Sequence, residues 1–211
     1  MEGKLTKSDF SETAAYLGGL DALCMEQKEK AEAMLLKAAQ PHVYWKLFPM
    51  TIKDEIPGAD IKKLLEGCRN VVLFGATLGM ETERLLRKAQ VRSMEEALLL
   101  DACADSAIEA VCDRFCAELE KKLAPCYLTD RFSPGYGDLP LEFQKVIFQK
   151  LDLTAHCGIR LTDSCLMIPQ KSVTAIIGIS DTPKPQPIRG CEQCNLREVC
   201  EKRKERPCNG T

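Results

Sequence analysis

Ser93 and Glu96 stand three residues apart at the head of a long apolar-striped stretch, a capping box in which each side chain satisfies a backbone N–H that the first helical turn leaves free. The stripe continues through Ala97, Leu100, Ala104, Ala107, Ile108, Val111, Phe115 and Leu119, so the spacing predicts a single helix running to about Leu123, the longest in the chain. A helix of that kind buries its stripe against a second layer, and the other elements must pack around it. Asp105 and Glu109 lie four apart on one face bordering the stripe. Carboxylates so placed either point into a cleft or form a solvated rim.

Ahead of that helix, apolar residues recur at helical spacing between Ser8 and Gln40, among them Leu17, Leu20, Leu23, Met34 and Leu35, and Gly18-Gly19 divides the stretch into two helices. Pro41 to Met50 is an apolar run that reads as a strand or the buried approach to one. Asp60 is placed to cap a short helix carrying Ile61, Leu64, Leu65 and Cys68. Val71 to Ala76 is continuously apolar and of strand length, and Thr77-Leu78-Gly79 turns it into a helix over Met80 to Gln90. That helix N-terminus offers N–H groups to an anion or polar ligand, or is simply a structural connection.

Beyond Pro125 the run Cys126 to Phe132 reads as extended. Asp138 and Pro140 are placed to start a helix with Phe143, Val146, Ile147 and Leu151 inward, and Thr154 to Cys157 adds a short turn ended by Gly158. Ser164 to Ile168 and Ser172 to Ile179 flank Pro169-Gln170-Lys171 and predict a hairpin. Helices and strands mix without regular βαβ alternation, so the fold class is α+β.

With 211 residues and 45% hydrophobic content the chain can bury one real core. Its 29 basic and 31 acidic side chains leave a net charge of -2, which provides no footprint for nucleic acid or an anionic membrane. No apolar run reaches the roughly 18 to 20 residues that span a bilayer, and Met1-Glu2-Gly3-Lys4 leads into polar sequence, so the expected location is cytoplasmic. Of the 12 cysteines, Cys103, Cys112 and Cys116 read as small buried hydrophobes in a reduced interior.

Arg131-Phe132-Ser133-Pro134-Gly135-Tyr136-Gly137 joins a planar cationic fork, a Pro-Gly bend and an aromatic face. Arg131 can take a carboxylate bidentately, the glycines admit a ligand close to the backbone, and Tyr136 can pack on a flat group, which suits a zwitterion bearing a ring. The same residues also make an ordinary tight turn with a surface arginine. Arg131→Ala is expected to lower ligand affinity with little loss of stability, because an exposed guanidinium contributes little to the core.

The chain divides into a main domain over residues 1–180, a proline-rich linker over 181–190 that includes Thr182-Pro183-Lys184-Pro185-Gln186-Pro187, and a tail over 191–211. The tail spaces Cys191, Cys194, Cys200 and Cys208 as C-x2-C-x5-C-x7-C amid charged residues with little to bury. In a reducing compartment that spacing points to thiolate ligation of one zinc or one iron-sulfur cluster, against free or redox-active thiols.

From Asp101 to Ser180 the sequence resembles the reactivation (activation) domain of cobalamin-dependent methionine synthase. The resemblance rests on Ala104-Asp105-Ser106-Ala107-Ile108-Glu109-Ala110, on Arg131-x-x-Pro134-Gly135-Tyr136, on Leu161-Thr162-Asp163-Ser164 before Met167-x-Pro169, and on Ser172-Val173-Thr174 to Gly178-Ile179-Ser180. Residues 1–100, with Ala76-Thr77-Leu78-Gly79, look like stand-alone relatives of that domain. The resemblance implies an antiparallel sheet with long flanking helices and a shallow groove for S-adenosylmethionine between the Arg131 loop and the long helix. Arg131 would hold the methionyl carboxylate, the backbone around Ser133, Pro134, Gly135 and Tyr136 the adenosyl part, and Glu109, with Asp105 beside it, the polar or cationic end. It departs from the family pattern in having Pro125-Cys126-Tyr127-Leu128-Thr129, with Asp130 adjacent, where an acidic residue usually comes shortly before the arginine, and in running from Asp181 into the linker where tyrosines usually cover the ligand.

The chemistry implied is reductive methylation within a methyltransferase system: a cob(II)alamin is reduced by one electron and then methylated by S-adenosylmethionine. No general base is needed, because the sulfonium is already activated; the protein must orient the methyl and exclude water. The only histidines are His42 and His156, and there is no corrinoid-binding Asp-x-His-x-x-Gly segment, so cobalamin is expected on a partner: a methionine synthase or related corrinoid protein, with a flavodoxin-type reductant. A second reading makes the chain an iron-sulfur electron-transfer or docking and assembly factor for a corrinoid protein without S-adenosylmethionine turnover.

Overall fold

In the computed structural model of the chain, which describes residues 3–13 and 25–183, the unbroken apolar run at 71–76 becomes part of a central strand. Strand β1 (His42–Pro49) pairs antiparallel with β2 (Asn70–Thr77) in the register Trp45↔Phe74. Two short strands, β4 (Arg160–Leu161) and β5 (Met167–Ile168), pair with each other. The long final strand β6 (Ser172–Ser180) joins the other side of β2 in the register Phe74↔Ala175, and β3 (Tyr127–Leu128) closes the far edge, so the main sheet has the order β1-β2-β6-β3 and is wholly antiparallel.

Side chains alternate along a strand, and here both faces are covered. Val72, Phe74 and Ala76 of β2, with Ala175, Ile177 and Ile179 of β6, face α1 (Met25–Ala38), α3 (Met80–Arg92) and α4 (Met94–Leu123), the one 30-residue helix expected from the capping box. Ser93 Oγ accepts the Glu96 N–H at 3.3 Å, and every residue named above as the α4 stripe is buried. Phe115 of α4 lies against Phe74 with ring centroids 4.8 Å apart, which fixes the helix across the sheet. Val71, Leu73 and Ile176 face the opposite layer, built from α2 (Ala59–Leu64), α5 (Gln144–Leu151), α6 (Leu153–Cys157) and the segments between them.

Three local expectations are corrected. The hairpin across Pro169-Gln170-Lys171 does not form: Met167–Ile168 pairs with Arg160–Leu161, while β6 pairs with β2 from Ser172 to Ile179 and with β3 only at its far end, Ile179–Ser180. Pro169 lacks an N–H to continue a ladder, and the Gln170 N–H is taken instead by Glu83 Oε2 at 2.9 Å. Asp60 is not the cap of α2; Gly58 holds the N-cap position, and the carboxylate of Asp138, far along the chain, accepts from the N–H groups of Ala59 at 2.5 Å and Asp60 at 3.2 Å. Asp138 therefore does not start the helix that follows it, which begins with a 3-10 turn at Leu141–Phe143 behind Pro140. The division expected at Gly18-Gly19 lies outside the described residues, as do most of the linker and the whole cysteine tail.

Candidate functional site

The loop at 131–137 leaves the edge of the sheet at a defined point. Phe132 and Ile176 exchange both backbone hydrogen bonds at 2.9 Å, which pins the loop to the middle of β6. Neighbouring side chains of extended backbone point to opposite sides. Phe132 accordingly enters the α2/α5 layer, while the adjacent Arg131 reaches α4. Beyond it the backbone turns through Gly135 at φ 87° and Gly137 at φ 54°, with the Gly135 N–H donating to Leu139 O at 2.8 Å and the Tyr136 N–H to Ser133 O at 3.1 Å. A Cβ on Gly137 would stand 2.7 Å from Asp60 Oδ2, so this glycine is required by space as well as by φ. Pro134 is buried and Ser133 half-buried, whereas Gly135 and Tyr136 are exposed. The Tyr136 ring stands edge-on to Phe132 at 5.6 Å with half its surface free for a flat ligand.

Opposite the loop, α4 presents Asp101, Asp105, Glu109 and Asp113, four acidic residues each one turn from the next. Arg131 Nη2 donates to Glu109 Oε2 at 2.8 Å and meets Asp113 Oδ1 at 2.9 Å. Its guanidinium is not the exposed group expected from the sequence: the side chain is only 10% exposed, and the buried Nη1 has no hydrogen-bond partner among the described residues. Burial opposes the charge on Arg131, but Cys112, Asp113 and Glu109 outweigh it and raise the pKa above the ordinary arginine value. Burial pushes the Cys112 thiol up to about 12, so near neutral pH Cys112 is uncharged and the carboxylates carry the effect. The geometry is that of a paired but unsaturated cation: its donor fork has capacity left for a carboxylate.

Lys171 fills the other half of the row, with Nζ 2.6 Å from Asp105 Oδ1 and 2.9 Å from Asp101 Oδ1. Asp105 is raised above the usual carboxylate range by burial, with the Lys171 hydrogen bond and charge opposing and Asp101 adding to the rise. Thus the structure brings Arg131 and Glu109 into contact and sets Asp105 one turn away on a different cation. Sequence reading missed Asp101, Asp113 and Lys171. The four-residue acidic spacing was a visible signal for the first two, but nothing local announces that a lysine in a turn folds back onto α4. The Thr77-Leu78-Gly79 turn is a packed connection: Thr77 Oγ1 accepts the Gly79 N–H at 3.1 Å, and a Cβ on Gly79 would lie 3.0 Å from the Gln40 carbonyl.

The proposed metal ligands Cys191, Cys194, Cys200 and Cys208 lie outside the described residues. Among the described residues no group of three or more His, Cys, Asp or Glu could hold a metal ion, and no helix is long and apolar enough to cross a membrane.

Compared with known families, residues 60–204 match the model of the vitamin B12 dependent methionine synthase activation domain. Among solved structures, the chain is similar to the MetH reactivation domain in its crystal structure bound to AdoHcy, with a TM-score of 0.63 at 16% identity over 92% of this chain and 82% of that one. At that identity the likeness speaks for the fold. No curated protein matches.

Proposed function

The chain belongs to the vitamin B12 dependent methionine synthase activation domain family, and on that premise we propose that it binds S-adenosylmethionine in the groove between the Arg131 loop and α4 and presents the methyl group to a corrinoid held by a partner protein. The observation that carries this reading is Arg131: a nearly buried guanidinium with a free Nη1 donor, beside carboxylates that accept an ammonium or face a sulfonium. An amino-acid zwitterion fits that donor set. Its carboxylate takes the Arg131 Nη1 donor, which is buried here and is reached when the exposed Gly135–Tyr136 turn moves aside, while its ammonium turns to Glu109, so each ion keeps a partner and none is left buried alone. Ser133 to Tyr136 then borders the adenosyl group, with the Tyr136 ring as the flat contact.

The partner's corrinoid supplies the nucleophile that accepts the methyl, after one electron from a flavodoxin-type or similar reductant. The residues of this chain orient and shield: the fork and the carboxylate fix the methionyl end, and the glycine-bearing loop sets how far the sulfonium protrudes. No proton needs to move, which agrees with a groove in which no histidine stands. The tail cysteines are proposed from spacing alone to hold one zinc or iron-sulfur centre, checked by metal analysis and the visible spectrum.

The test is methyl transfer. A cob(II)alamin-loaded methyltransferase, a one-electron donor and methyl-labelled S-adenosylmethionine are mixed with and without this protein, and label on the corrinoid is followed. Label that depends on the protein supports the reading; S-adenosylmethionine binding without any label transfer would favour the docking or assembly role instead.

A further inference from the structure

Lys171 is a cation that the ligand-binding scheme above leaves unused, and the fold holds it in place with unusual care. The Leu78 N–H donates to the Lys171 carbonyl at 3.0 Å, and the Gln170 N–H before it is held by Glu83, whose side chain is almost fully buried. Ser172 Oγ donates to the Pro169 carbonyl at 2.7 Å on the other side. The result is an ammonium only 11% exposed, locked between Asp101 and Asp105. Along α4 the next carboxylate is Glu109, the partner of Arg131, so the two cations share one acidic row and stand about one to two helical turns apart, roughly 6 to 11 Å. Four carboxylates against two cations leave the row with two negative charges in excess.

Resting on the S-adenosylmethionine reading, we propose that Lys171 is a specificity-determining residue of the groove: an internal cation that occupies Asp101 and Asp105, competes with the ligand's positive groups, and limits how strongly the groove prefers the sulfonium over the thioether left after methyl transfer. S-adenosylmethionine carries one net positive charge, whereas S-adenosylhomocysteine is a neutral zwitterion. An acidic row with excess negative charge attracts the first and is indifferent to the net charge of the second. Each cation fixed on the row reduces that difference, because like charges at this separation in a half-exposed groove still repel appreciably.

Calorimetric titration of both ligands into the wild type, Lys171→Met, Lys171→Arg and Asp101→Asn at pH 8 tests this. Lys171→Met is expected to tighten S-adenosylmethionine about three- to tenfold while changing S-adenosylhomocysteine less than about twofold. Lys171→Arg restores the wild-type ratio of the two affinities, and Asp101→Asn shifts that ratio the opposite way by weakening S-adenosylmethionine. Opposite signs from the two ends of one ion pair are what a charge-setting role requires; a pair that merely braces the turn would weaken both ligands from either end. An unchanged ratio in Lys171→Met overturns the assignment. If that variant does not fold, Asp101→Asn decides alone, since Asp101 is half exposed: a ratio that stays put or rises overturns the assignment. Failure of the wild type to bind either ligand withdraws the S-adenosylmethionine reading and this inference together, whereas wild-type binding with an unmoved ratio withdraws only the role of Lys171.

Discussion

The two faces of the sheet are covered equally well but by different means. One face receives α1, α3 and the 30-residue helix α4, whose apolar stripe fills the core and whose bordering row of carboxylates meets Arg131 and Lys171. The other receives three short helices that cannot hold themselves and are tied by a polar clasp, Asp138 on the N-terminus of α2, with Gly137 packed close against Asp60. The loop straddles them, with Phe132 in one layer and Arg131 on the other. Long-range binding geometry thus depends on the long-helix face, while loop shape depends on the clasped face.

The largest effects separate the faces by core truncation. Phe74→Ala, which removes the ring that seats Phe115 of α4, is expected to cost about 3 to 5 kcal/mol, and Leu73→Ala, on the opposite face, about 2 to 5 kcal/mol. Denaturant unfolding measures both. Among molecules that remain folded, only Phe74→Ala should weaken ligand binding, because it frees α4 to shift. Equal weakening by Leu73→Ala would erase the distinction.

Asp138→Ala sharpens the comparison at smaller scale. It leaves the first N–H groups of α2 without their acceptor and should cost about 1 kcal/mol, within the usual range for a lost cap. Hydrogen exchange should rise at Ala59 and Asp60 and in the loop through Gly137, with α4 unaffected.

The smallest effect is a pH dependence shared by the two faces: burial raises the thiol of Cys157 in α6, on the clasped side, to about 11. Burial raises the Cys103 thiol to about 11 and the Cys112 thiol to about 12, from 9.0. Above pH 9 the unfolded chain releases these protons while the folded chain keeps them, so stability falls as pH rises from 9 to about 11 for Cys103 and to about 12 for Cys112. By pH 10 the loss is about 1 kcal/mol per thiol, and Cys103→Ala should flatten the decline in Tm.

What the sequence made legible follows from how local each signal is. The α4 helix, its Ser93 cap, β2 and its turn into α3 were readable because periodicity and capping act over a few residues, although the Glu96 half of the capping box does not form and the Ser93 N–H donates to Ala89 O instead. The loop glycines were readable because a Pro-Gly bend carries its own backbone demand. The cap on α2 was misassigned because Asp138 acts across 79 residues of chain, and the 169–171 hairpin failed because Met167–Ile168 pairs with Arg160–Leu161 while β6 pairs with β2, a strand distant in sequence. The contact of Lys171 with Asp101 and Asp105 and the burial of Arg131 are likewise products of tertiary packing, on which local spacing is silent.

Calorimetric titration of S-adenosylmethionine into the wild type and Arg131→Ala tests the central claim most directly. Saturable binding is expected in the wild type. In the variant the affinity should fall about tenfold or more through loss of a charge-assisted carboxylate contact, and Tm should fall as well, because truncating a side chain that is only 10% exposed leaves a void, although Glu109 and Asp113, 46% and 68% exposed, can be solvated when their partner goes. Binding that is undiminished in Arg131→Ala, or no binding by the wild type, would contradict the account.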